Sequence, residues 1–115
     1  MINLSQLEEQ LTKLPGQIRE QAKVYLEKKT VVEVSKLQLD VATSNAMLES
    51  QEPNATRQKA ESVVKTQDEK RRFLKDQLEM ERAEVELKYL EDRFTSMRKI
   101  GSLESDMMRS QLGGN

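Results

Sequence analysis

Met80, Ala83, Leu87, Leu90, Phe94 and Met97 recur at steps of three and four residues, and Gly101 continues the series. Such a series averages 3.5 residues per repeat, so on an α-helix its side chains form one narrow stripe, the seam of a coiled coil. Leu78, Val85 and Tyr89 do not join it. Residue 85 lies two positions from 83, about 200° around the helix at roughly 100° per residue. These three therefore form a second stripe on the opposite side. A helix that is apolar on two sides is sandwiched between neighbours. An antiparallel helical hairpin covers one stripe, and self-association is the economical cover for the other.

Composition agrees with long helices. The 115 residues are 36% hydrophobic, 34% charged and 3% aromatic, with no Trp, two Phe and two Tyr. A globular core uses more apolar residues than this, nearly half of the chain. Disorder goes with few apolar residues and a large net charge, but here the net charge is −1 and the apolar residues are regularly spaced. Four Gly and two Pro are too few for the turns of a β-rich fold. The expectation is a single all-α domain built as a helical hairpin or coiled coil and assembling into a homo-oligomer.

Breaks divide the chain. Ser5-Gln-Leu-Glu8 has the form of a capping box. The helix it opens carries Leu7, Leu11 and Leu14 and is expected to stop at Pro15-Gly16, giving a span of 5–14. A long helix over 17–50 follows, with Ile18, Ala22, Tyr25 and Val32 on one side. From Val34 its stripe is expected to shift to Val34, Leu37, Val41 and Leu48, with Ala42, Ser44 and Ala46 beside it to let a partner helix approach. Pro53 disfavours helix at Glu52, and Asn54 or Thr56 can cap a short helix over 56–65 carrying Ala60, Val63 and Val64. Thr66-Gln-Asp-Glu69 is a second capping box, which restarts a helix over 67–110, about 65 Å long at 1.5 Å per residue. Residues 111–115, ending Gly113-Gly114-Asn115, read as a flexible tail.

The chemistry of catalysis is scarce. The chain has no His and no Cys, which removes the usual nucleophile–base pairs, the commonest metal ligands and any disulfide. Carboxylate pairs such as Glu84/Glu86 and Glu91/Asp92 lie among Lys and Arg. A solvated helix surface accounts for them, so neither an enzyme nor a metal or other cofactor is expected. No apolar stretch approaches the 18 residues of a membrane span. No basic start leads into an apolar signal segment, so the expected location is the cytoplasm.

Charge, though balanced overall, is arranged in blocks. Residues 57–75 hold seven basic residues (Arg57, Lys59, Lys65, Lys70, Arg71, Arg72 and Lys75) and three acidic ones, a net of +4. Residues 76–92 hold two basic and seven acidic ones, a net of −5. Clustered cations neutralise phosphates, so the first block, with Lys36, is the candidate nucleic-acid site. Phe73 within it is placed either to stack a base or to fill the core. A solvated face, or pairing of the basic block with the acidic block of an adjacent subunit, accounts for the same residues. The seam residues Met80, Ala83, Leu87, Leu90, Phe94 and Met97 are the candidate oligomer contact.

The layout of a Lys-rich first helix, a break, a short helix with Ala60 and Val63, the restart Lys65-Thr-Gln-Asp-Glu-Lys70, and the amphipathic Leu87-Lys-Tyr-Leu-Glu-Asp-Arg-Phe-Thr-Ser-Met-Arg-Lys99 resembles the UvsY-like recombination mediators of bacteriophages over roughly residues 20–110. The resemblance implies a ring-shaped homo-oligomer in the bacterial host cytoplasm. It implies binding to single-stranded DNA and loading of a RecA-like recombinase where a single-strand-binding protein already sits. Where that family would carry a Lys/Arg pair late in the first long helix, this chain reads Ala42-Thr-Ser-Asn-Ala46. The alternative from another class is a structural or adaptor coiled coil, such as a phage virion component or a prefoldin-like assembly chaperone.

Overall fold

The computed structural model describes residues 3–112 and contains three helices: α1 (Leu4–Glu49), α2 (Ala55–Lys65) and α3 (Gln67–Leu112). The chain is all-α among the described residues, and it divides into two units. Among the described residues the first comprises 3–24 with 84–112, and the second 25–83. Gly113, Gly114 and Asn115 lie outside the described residues.

In the first unit the early part of α1 packs on the late part of α3. Leu7 and Leu14 are buried, Leu14 completely. Gly101 faces the same leucines: a Cβ added there would lie 3.7 Å from Leu7 Cδ2 and 3.8 Å from Leu11 Cδ1, ordinary van der Waals contact. Leu11 and Ile18 on α1, and Leu87, Leu90, Phe94 and Met97 on α3, are half-buried. The expected break at Pro15-Gly16 is absent, because Pro15 lies inside an uninterrupted α1. Proline inside a helix costs about 3 kcal/mol through a lost hydrogen bond and a ring clash. Burying one Leu side chain returns about 1.5–3 kcal/mol, and Leu7, Leu11, Leu14 and Ile18 bracket the proline on the packed face. Tertiary packing overrides the local signal. The start of α1 also differs from the expected capping box. Asn3 is the cap, its Oδ1 accepting from the Ser5 N–H at 2.8 Å and its carbonyl from the Leu7 N–H at 3.0 Å.

The second unit packs the rest of α1 against α2 and the first part of α3. Its α1 face is Tyr25, Lys28, Val32, Ser35, Leu39, Ala42 and Ala46, all at least half-buried and again at steps of three and four. The expected shift of the stripe does not occur. Val34, Leu37, Val41 and Leu48 are exposed, Leu48 by 85%. The packed series continues instead through polar and small residues, which a search for large apolar side chains passes over. Two of them find acidic partners on α3: Lys28 Nζ lies 3.3 Å from Glu79 Oε2, and the buried Ser35 hydroxyl donates to Asp76.

α1 ends at Glu49, ahead of Pro53, and Asn54 caps α2 by accepting from the Thr56 N–H at 2.7 Å. The packed residues of α2 are small and polar. Ser62 is fully buried, while Ala60, Val63 and Val64 are exposed, the reverse of the expected apolar face. Thr66 also departs from the capping box assigned to it. Its hydroxyl donates back to the Ser62 carbonyl at 2.7 Å at the end of α2, while its carbonyl accepts from the Lys70 N–H at 3.0 Å. α3 therefore restarts at the expected place without the hydroxyl cap.

Candidate nucleic-acid interface

All eight candidate basic residues, Lys36, Arg57, Lys59, Lys65, Lys70, Arg71, Arg72 and Lys75, belong to the second unit and are exposed. Three of them have acidic neighbours within ion-pair distance. Lys65 Nζ sits 2.8 Å from Glu61 Oε1, Arg71 lies 3.9 Å from Asp68, and Arg57 lies 4.0 Å from Glu52. The hydrogen bond from Lys65, joined by one from the Ser50 hydroxyl, holds the Glu61 carboxyl below its ordinary pKa, and Glu61 in turn raises that of Lys65. Among the described residues, Lys36, Lys59, Lys70, Arg72 and Lys75 have no carboxylate within ion-pair distance. Screened surface pairs are worth about 0–1 kcal/mol, so even the paired cations can exchange a carboxylate for a phosphate.

The block does not lie on one face. Lys70 and Arg71 line a groove of about 820 Å³ with Leu39, Asp40 and Thr43 of α1, Val63 of α2, and Thr66 and Gln67 where α3 begins. Arg72 lines a different groove, of about 470 Å³, against Leu37 and Val41 of α1. Consecutive residues on a helix point about 100° apart, so the run Lys70-Arg71-Arg72 straddles the packed face of α3. Phe73 is half-buried on that face, and Lys70 Nζ lies 5.8 Å from its ring centroid. A half-buried ring under its own lysine is a core residue more than a platform for a base.

The candidate oligomer residues occupy another place than expected. Ala83 is buried and Met80, Leu87, Leu90, Phe94 and Met97 are half-buried within the single chain. Met80 and Ala83 belong to the second unit, and the other four to the first. The α3 series also reaches back beyond its expected start, through Asp76, Phe73, Glu69 and Thr66, all at least half-buried at the same steps. Their mixed polarity hid them, although the three-four spacing was there to be followed. Leu78, Val85 and Tyr89, the opposite stripe, are exposed, Val85 by 70%.

Among the described residues no group of three or more Asp or Glu is placed to hold a metal ion, and no helix is long and apolar enough to cross a membrane. Comparison of the chain with family models, curated proteins and solved structures finds no match.

Proposed function

We propose that this protein binds single-stranded DNA through the basic residues of its second unit. It does so as a homo-oligomer, and acts as a recombination mediator that helps load a RecA-like recombinase onto a strand carrying a single-strand-binding protein. The observation that carries the DNA part is the groove where α2 meets α3, with Lys70 and Arg71 on one wall beside apolar Leu39 and Val63. Clustered cations neutralise backbone phosphates whatever the base sequence, which supports a sequence-tolerant site. Arg57 and Lys59 on α2 extend the positive charge. The mediator role rests on the resemblance of the layout.

Fluorescence anisotropy with labelled oligo-dT at about 50 and 200 mM salt tests it. Binding should fall steeply with salt and depend little on base sequence. Lys70→Ala with Arg71→Ala should weaken it and flatten the salt dependence, and Arg57→Ala with Lys59→Ala should weaken it less. Several sites in one assembly add avidity, so dissociating the oligomer should also cost affinity. Unchanged affinity in both double variants would remove these residues from the site.

The exposed apolar side chains of both units favour a second reading, a structural or adaptor coiled coil. Absence of binding at low salt would select it.

A further inference from the structure

We infer that a second copy of this chain docks on an outer face of α1 in the second unit, centred on Val34 and Val41. This rests on the self-association part of the proposed function; of the candidate DNA residues it takes up Arg72 and leaves Lys70 and Arg71 free. Val31, Val34, Gln38, Val41, Asn45 and Leu48 follow one another at steps of three, four, three, four and three. That is a second heptad series, one position out of step with the packed series Val32, Ser35, Leu39, Ala42 and Ala46. Every member of the second series is exposed. Helices present such a stripe to other helices.

The chemistry along the stripe selects a copy over a foreign partner. Gln38 and Asn45 interrupt the valines at equivalent heptad positions, and a polar residue at such a site is best satisfied by its counterpart in an identical helix, where it also sets register. The stripe borders the groove of about 470 Å³ between Leu37, Gln38, Val41 and Asn45 on α1 and Glu69 and Arg72 on α3. The rim of that groove thus carries one charge of each sign. A partner of single charge would meet repulsion at one of them. A copy related by a two-fold axis brings Arg72 against Glu69 twice, because an isologous interface is self-complementary. Ala42, a small residue lining the same groove, leaves room for close approach. The Lys70–Arg71 groove uses the other side of α1, at Leu39, Asp40 and Thr43, and stays open when this face is covered.

Light scattering and far-ultraviolet circular dichroism of the full chain, wild type and variants, test the assignment at about 10–100 μM. Val34→Glu with Val41→Glu should bring the mass from a multimer to the 13.3 kDa of one chain with helicity retained, since both side chains are exposed. Val85→Glu with Tyr89→Glu, on the outer stripe of α3, should leave the mass unchanged. Val34→Ser with Val41→Ser repeats the test without added charge, should the glutamates unfold the chain, and should raise the midpoint concentration of association at least tenfold. A multimer that survives both position-34/41 variants overturns this face but leaves self-association standing. A wild type that stays at 13.3 kDa across the range overturns both.

Discussion

The two units use the same three-four spacing and fill it with different chemistry. In the first, the packed positions are Leu7, Leu11, Leu14 and Ile18 against Leu87, Leu90, Phe94 and Met97, with Gly101 beside Leu7. In the second, the corresponding positions include Lys28, Ser35, Ala42 and Ala46 on α1, Ser62 on α2, and Thr66, Glu69 and Asp76 on α3. Several large apolar residues of that stretch of α1, Leu26, Val31, Val34, Leu37, Val41 and Leu48, are on its outside. Apolar surface buried inside a unit supplies stability at about 25 cal/mol per Å², whereas buried polar pairs contribute little net energy and much alignment. The first unit is accordingly the stable clamp. The second is an aligned scaffold whose outer apolar side chains are exposed.

The largest effect that can break this comparison is in the first unit. Leu14→Ala empties a fully buried site and should cost about 2–5 kcal/mol, read as a lower midpoint in urea. Leu39→Ala, at a half-buried position on the packed face of the second unit, should cost less, about 1 kcal/mol. Equal costs would mean that the first unit is not the clamp.

In the second unit, Asp76→Ala strands the buried Ser35 hydroxyl and should cost about 1–3 kcal/mol. Adding Ser35→Ala should recover most of that, since removing both partners is nearly neutral. A double-mutant cycle with no coupling would show that the Ser35–Asp76 pair does not align the helices.

Pro15→Ala restores a backbone donor inside α1. It should raise stability by roughly 1–2 kcal/mol, less than the full cost of a helix proline because proline also restricts the unfolded chain. A loss of stability would place a real break there.

The smallest effect concerns pH. The carboxyl of Glu61 titrates below its ordinary range because Lys65 and Ser50 donate to it. The group contributes stability above its unfolded pKa, and that contribution is lost as pH falls through the folded value. The protection factors of the α2 amides, taken against the intrinsic exchange rate at each pH, should therefore fall as pH drops below about 4. Glu61→Gln should abolish that dependence while leaving the amides of the first unit unaffected.

The helices were legible in the sequence because their signals are local. The α3 series from Met80 to Met97 consists of apolar residues, and Asn54 and Pro53 mark the start of α2. Three features were hidden for the same physical reason, that packing outranks local preference. Pro15 is carried inside a helix by the leucines around it. Ser35, Ser62 and Thr66 are buried because small hydroxylated residues let helices approach and satisfy themselves on Asp76 and on backbone carbonyls. Val34, Leu37 and Val41 lie outside although they look like core. At the candidate site, the positive charge was legible as a block. Its division between two grooves was not, since that depends on which face of α3 meets α1.

Central to this reading is an α3 seam closed within one chain by α1, which leaves the outer stripe of α1 exposed. The chain contains no cysteine, so Ser35→Cys with Asp76→Cys introduces one reporting pair at positions already in contact. Oxidised and run on a denaturing, non-reducing gel, this variant should migrate as one chain, cross-linked internally, at every protein concentration. Covalent dimers or a ladder as the main product would contradict the account, because the seam would then be closed between chains.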